Sequence, residues 1–284
     1  MKNIFKLLAF LPLLTACDDL FEPALENNRD LEAMYKEPSY AQGILANAYI
    51  ILPYETSPTS DLATDDAVTN EISSNYLRMA TGSWTANNNP VSQWQNRFNA
   101  IQYINLFLEN VDKVEWAQDE RISTMFLDRL KGEAYGLRAL HMYYLLRAHG
   151  GKIADGTLMG VPIILKSEGP DADFNHARAT YSDCVKQIME DADKAIELLP
   201  LDYKKFADSE IPEKYKNIGV TNASDYRRVC GEEYRGLMSG RIALAVRAQT
   251  ALLAASPAFQ SGSGMTWEQA ADYAAEIIEK ANGG

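Results

Sequence analysis

Residues 122–151 read ISTMFLDRLKGEAYGLRALHMYYLLRAHGG, and the spacing in this stretch decides the fold class. Phe126, Leu130, Ala134, Leu137, His141, Tyr144 and Leu145 recur at three and four residues, the period of one face of an α-helix. The run continues for nearly thirty residues without a proline, and the diglycine Gly150-Gly151 then stops it. A helix this long needs neighbours on both sides to cover its apolar face, so the flanking sequence has to supply more helices.

It does so in both directions. Upstream, Ala41, Ile44, Leu45, Ala48 and Leu52 keep the same rhythm between Pro38 and Pro53, with Ser39 as the expected cap. A second helix is expected from about Ser92 to Val114, with Trp94, Phe98, Ile101, Leu108 and Val111 sharing a core face. Downstream, Thr180-Tyr181-Ser182-Asp183 reads as a capping box before Val185, Ile188, Met189, Ala192, Ala195, Ile196 and Leu199. A loop of nearly forty residues follows. The helix predicted from Gly240 to about Ala255 is rich enough in alanine for a neighbour to approach its backbone closely. The last one opens with a second box at Thr266-Trp267-Glu268-Gln269. The best strand signal is short, VPIIL at Val161 to Leu165. The expected fold is therefore all-α: antiparallel helix pairs stacked in a tetratricopeptide-like scaffold, without a strict 34-residue period and with long loops between pairs.

The N-terminus is of another kind. Lys2 and Lys6 form a positive start, Ile4 to Leu14 form an apolar core too short to span a membrane, and small residues follow at Thr15-Ala16. This is the pattern of a secretory signal peptide. The order Leu14-Thr15-Ala16-Cys17 resembles the lipobox of bacterial lipoproteins, in which the cysteine is acylated and becomes the first residue. Asp18, Asp19 and Glu22 before Pro23 suit a solvated tether. The sequence thus divides into a signal peptide and lipobox (1–17), an acidic tether (18–37) and a helical domain (38–284).

Composition limits the function classes. A hydrophobic content of 46% over 284 residues is enough for a globular core. Removing Lys2 and Lys6 from the 27 Lys+Arg leaves 25 against 39 Asp+Glu, a formal charge near −14 that argues against nucleic acid and anionic lipid surfaces. Cys184 falls on the apolar stripe of its helix, so it and Cys230 are expected as two separate buried thiols. The sequence has no glycine-rich phosphate loop, no GxSxG elbow and no pair at metal spacing among His141, His149 and His176, so neither an enzyme nor a cofactor or metal is expected. Adjacent carboxylates at Asp65-Asp66 point apart and read as turn-capping groups rather than a glycosidase pair. Glu133, Arg138 and Arg147 read as inter-helix hydrogen-bonding or solvated groups.

The segment NYLRMATGSWTANNNPVSQW, Asn75 to Trp94, is the most unusual in composition. It reads as a loop combining Tyr76, Arg78, Trp84, Asn87 to Asn89 and Trp94. Sugar recognition uses a flat apolar face against the ring and fixed amide or guanidinium groups against its hydroxyls, so Trp84, Arg78 and Asn88 are the candidate ligand contacts. Trp94 is expected as the first core residue of the next helix.

Several segments together resemble the SusD/RagB family of nutrient-binding outer-membrane lipoproteins. They are the lipobox, YAQGILANAYIIL, TDDA, W..RFNAIQYINLFLENV, GEAYGLRALHMYYLLRAHGG, VPIIL, SGRIALAVRAQTALLAAS and W..AA.YA.EII. The resemblance implies a lipid-anchored protein on the extracellular side of the outer membrane. There it would bind an oligosaccharide without catalysis and pass it to a TonB-dependent porin partner. It also implies a further C-terminal region that adds to the ligand pocket, so the chain reads as incomplete after Gly284. The second function class is a tetratricopeptide-like envelope adaptor that binds protein or peptide partners.

Overall fold

The computed structural model describes residues 32–54, 60–85 and 88–282. The signal peptide, Cys17, most of the tether and Asn87 lie outside the described residues. The 122–151 stretch forms the central element. Asp119 accepts a hydrogen bond from the Arg121 backbone N–H (2.9 Å) and starts a helix, Glu120–His149, that is about 45 Å long at 1.5 Å per residue. Gly150 ends it in an extended conformation (φ −77°, ψ 148°) rather than a left-handed one. Glycine is required here for space: a Cβ would lie 2.6 Å from the Leu146 carbonyl oxygen and 2.9 Å from the Tyr181 ring.

Four helices precede this one: α1 (Ala33–Lys36), α2 (Pro38–Ile50), α3 (Asn75–Ala80) and α4 (Trp94–Asn110). The central helix is α5. It is followed by a two-stranded antiparallel hairpin, β1 (Gly151–Lys152) with β2 (Leu158–Met159), and by α6 (Tyr181–Leu198). Next come α7 (Glu213–Lys216), α8 (Ala223–Cys230), α9 (Gly240–Ala255), α10 (Gln260–Ser263) and α11 (Trp267–Asn282).

The long helices pack in chain order, α2 on α4, α4 on α5, α5 on α6, α6 on α9 and α9 on α11. Residue pairs show α4 with α5, and α5 with α6, to be antiparallel. His149 and Arg138 of α5 meet Gln93 and Asn105 at the α4 side. Tyr181 and Asp191 of α6 meet Gly150 and Arg138, and Arg247 of α9 pairs with Asp193 of α6 and Glu276 of α11. This is the tetratricopeptide-like scaffold expected from the helical periods. Close approach is built in at Gly136, where a Cβ would sit 2.6 Å from Met238 and 3.3 Å from the Ala195 Cβ. The alanine face of α9 buries Ala243, Ala251, Ala254 and Ala255.

Buried polar groups tie the layers together. Arg138 of α5 forms a two-pronged ion pair with Asp191 of α6 (2.7 and 2.8 Å) and donates to Asn105 of α4 (3.0 Å). Asn105 in turn donates to the carbonyls of Ile164 and Lys166. Glu133 is buried beside Arg129 and accepts from the Tyr49 hydroxyl at 2.8 Å. Cys184 and Cys230 are separate buried thiols, as expected.

Several expectations are corrected. Val161 to Leu165 is not a strand: it runs extended against α4 and α6, its polar groups met by Asn105, Ala179 and Cys184 rather than by a sheet neighbour. Ser39 does not cap α2. Glu37 holds the cap position without a side-chain bond and Pro38 takes the first turn, where its missing N–H costs nothing. The forty-residue loop carries α7, α8 and two 3-10 turns around a second small core of Tyr203, Ile211, Tyr215, Val220, Tyr226 and Val229, packed on Ile122 and Met125 at the start of α5. Helices this short repeat too few times to show a period. Trp94 is not a core residue: it is 37% exposed, and the buried face of α4 runs instead through Arg97, Ala100, Ile101, Ile104 and Phe107.

Candidate functional site

The sequence-predicted ligand segment is a short helix and a tight turn rather than a plain loop. Ser74 caps α3 through a bond from the Leu77 N–H (3.4 Å), and Arg78 lies in its last turn. The chain then reverses: Gly82 takes a positive φ of 67°, and the Ser83 N–H donates to the Arg78 carbonyl at 3.0 Å. Thr85 and Asn88 exchange backbone hydrogen bonds (3.3 and 3.0 Å) and close the next turn. Trp84 stands immediately before that turn, 50% exposed, while Arg78 is half-buried and Asn88 exposed. The three candidate contacts therefore belong to one reversed stretch of backbone. No hydrogen bond or ion pair among the described residues ties their side chains to the body. A guanidinium, an amide and a half-exposed indole carried on one short segment have the chemistry to receive a hydroxylated ring.

The segment leads into a second aromatic group at the junction of α4 and α5. Asn89 Oδ1 accepts from the Val91 N–H, and the Gln93 N–H donates to His149 Nε2 at 3.0 Å, locking the α4 entry to the end of α5. Trp94 packs edge-on against Phe98 (4.9 Å between centroids) and His149 (5.4 Å), and Arg178 lies 5.6 Å from its ring. Arg178 also donates to the His149 carbonyl at 2.7 Å, where it complements the C-terminal end of α5. Burial, with the charge of Arg178, holds the His149 pKa below its ordinary value, which suits a ring that accepts through Nε2.

One turn into α4, Arg97 is only 2% exposed, and its charge is felt by Tyr144 and His141 of α5. Tyr144 is half-buried, with Tyr54 edge-on to it (6.3 Å) and Arg147 over its face (5.4 Å). Sequence reading missed this group. The available signal was an arginine at position 97 within the apolar row Trp94, Phe98 and Ile101. Asp65-Asp66 form no carboxylate pair across a cleft: the Asp66 N–H donates to the Thr64 hydroxyl oxygen in an exposed turn. A concavity of about 770 Å³ lies away from this region, at the α4–α5 connection, lined among others by Asp112, Trp116 and Glu120. An apolar groove of about 320 Å³ lies between α9 and α11, with Leu252 and Trp267 half-exposed on it.

Comparison with known proteins supplies the family. A SusD-like family model, described as starch-binding associating with outer membrane, matches residues 25–214. No curated protein matches the chain. Among solved structures, a SusD-like protein from Bacteroides fragilis superposes with a TM-score of 0.63 at 16% identity, covering 90% of this chain and 41% of that one. A structure described as a putative sugar binding protein from Bacteroides vulgatus gives 0.56 at 21% identity, covering 88% and 47%. A laminarin binding SusD-like protein gives 0.54 at 18% identity, covering 77% and 40%. The chain spans less than half the length of each of these structures.

Proposed function

The chain belongs to the SusD-like family, and on that premise we propose that it is a non-catalytic cell-surface receptor that binds an oligosaccharide and delivers it to a TonB-dependent outer-membrane porin. The observation that carries this reading is the half-exposed Trp84 on one reversed backbone segment with Arg78 and Asn88, whose side chains make no hydrogen bond among the described residues. An aromatic platform with hydrogen-bonding groups at its edge suits a sugar ring, and such stacking is worth about 0.5–1.5 kcal/mol beyond area burial. Affinity is therefore expected to be weak, in the range of about 0.1–10 mM. Weak binding favours fast release, and tethering beside a porin raises the effective concentration enough to offset it.

Anchoring follows the same reading. Acylation at Cys17 would hold the body at the outer membrane, with residues 18–37 as the tether. Cys17→Ala is expected to release the protein from the membrane or to leave its signal peptide uncut. Unchanged mass and detergent partitioning would remove the anchor from the proposal.

Binding is tested by titrating the protein with a panel of neutral oligosaccharides while following tryptophan fluorescence. At least one is expected to quench emission, and Trp84→Ala to abolish that response. Retained binding in Trp84→Ala would refute the assignment of the site. Binding of an envelope protein or peptide, with no response to any saccharide, would favour the adaptor reading.

A further inference from the structure

Residues 60–93 carry the candidate ligand contacts, and none of them that the structure describes is buried. Their turns close inside the segment: Ser83 bonds back to Arg78, Thr85 exchanges bonds with Asn88, and Val91 and Ser92 donate to Asn89. The C-terminal end of the segment is joined to the body where the Gln93 backbone N–H donates to His149 Nε2 at 3.0 Å. Trp94, the next residue, packs edge-on against the same imidazole at 5.4 Å between centroids. A stretch of chain without buried side chains has little packing to fix it, so its attachments set its position.

The attachment depends on the protonation state of the ring. A backbone N–H needs an acceptor, so Nε2 of His149 is bare and the ring proton is on Nδ1. The imidazolium carries an N–H at both nitrogens and would turn a donor onto the Gln93 donor, so this bond and a protonated His149 exclude each other. The charges around the ring act in the same direction. Arg178, on the segment before α6, donates to the His149 carbonyl at 2.7 Å and lies 5.6 Å from the Trp94 ring. It is the charged group that acts on the imidazole, and with burial it holds the His149 pKa below the ordinary 6.5. The α4 entry brings Gln93 and Trp94, neither of them charged, while Arg97 one turn further on acts on Tyr144 and His141. On α5 itself the neighbouring cation is Arg147, placed over the Tyr144 face. No carboxylate among the described residues bonds the His149 ring.

We propose that neutral His149 is a positioning residue for the ligand-bearing segment: its Nε2 latches Gln93 and so sets Trp84, Arg78 and Asn88 for the saccharide, and acidification opens the latch and weakens binding. This gives the receptor site proposed above its regulation and rests on that reading. The sign follows from linkage. A ring that titrates below 6.5 when latched and at about 6.5 when free stabilises the latched state fully above about pH 6.5 and loses that contribution as the pH falls from there.

The test uses the full chain purified in detergent, at one fixed ionic strength, from about pH 7.5 to about pH 5, above the ordinary carboxylate range and above the value of about 3 to which His141 is pushed. Two quantities are followed: hydrogen-exchange protection of the Gln93 amide without ligand, corrected for the intrinsic exchange rate, and the Trp84-dependent fluorescence response to a panel of neutral oligosaccharides that includes maltoheptaose and laminariheptaose. Toward the acid end, protection in the wild type is expected to fall about fivefold and affinity at least about twofold. His149→Leu, which has no acceptor, is expected to give low protection and weak binding at every pH. His149→Gln offers an amide oxygen near the Nε2 position and does not titrate; it is expected to restore both quantities and to make them independent of pH. Wild-type protection that stays level, or a fall that survives in His149→Gln, overturns the proposal. Protection that falls while affinity stays unchanged also overturns it, because the latch would then not position the site. The receptor reading fails separately, when no saccharide of the panel binds at any pH; the protection of Gln93 still decides the latch.

Discussion

Arg138→Met cuts the polar network at the centre of the scaffold, and its cost follows from the geometry. Methionine is close to arginine's aliphatic stem in length, so little packing is lost, but three hydrogen bonds disappear: two to Asp191 and one to Asn105. Asp191 is 0% exposed, so its carboxylate is left buried without its partner. Breaking a buried pair from one side typically costs about 3–5 kcal/mol, most of it the penalty on the stranded charge. That is a large share of the roughly 5–15 kcal/mol that holds a domain together. For a chain of this size it corresponds to a fall in melting temperature of about 6–20 °C, at roughly 2–4 °C per kcal/mol. The assay is denaturant unfolding followed by far-UV circular dichroism, which reports the helical scaffold directly. A partner variant separates the charge penalty from the value of the pair: Arg138→Met with Asp191→Leu removes both charges and is expected to recover most of the loss, to within about 2 kcal/mol of wild type. A single-variant cost below about 1 kcal/mol would refute the reasoning, as would a double variant no more stable than Arg138→Met.

Two further predictions concern pH and local stability. His141 is ordinarily half-protonated at 6.5 but is pushed down to about 3 in the fold by burial and by Arg97. Its contribution is therefore fully present above about pH 6.5 and lost progressively as pH falls toward 3, up to about 5 kcal/mol in all. His141→Gln, which retains a donor for Ala48 but does not titrate, should flatten unfolding midpoints between pH 6.5 and 4; an unchanged slope would remove His141 as the cause. In α11, which packs mainly on α9, Trp267 is 47% and Ile278 61% exposed, and amides after Thr266 are expected to exchange faster than those of residues 122–149. Equal protection of the two helices in hydrogen exchange would contradict that.

The sequence by itself determined what depends on neighbours along the chain. The three-and-four spacing in residues 122–151, the Thr180 and Thr266 boxes and the start of α9 at Gly240 all set helices where the structure has them, because period and capping act within a few residues. Trp84, Arg78 and Asn88 lie close along the backbone for the same reason: they share one short segment. Only tertiary packing decided that Trp94 faces the rim and Arg97 the interior, since the two lie only about 60° apart around α4 and the packing on α5 sets which is covered. Val161 to Leu165 had the composition of a strand but met the amide of Asn105 instead of another strand, a contact made across about sixty residues of chain. The group formed by Tyr54, Arg97, Tyr144 and Arg147 comes from three separate segments. Among the described residues no acid pairs with Arg97, whose Nε and Nη1 are buried without an acceptor.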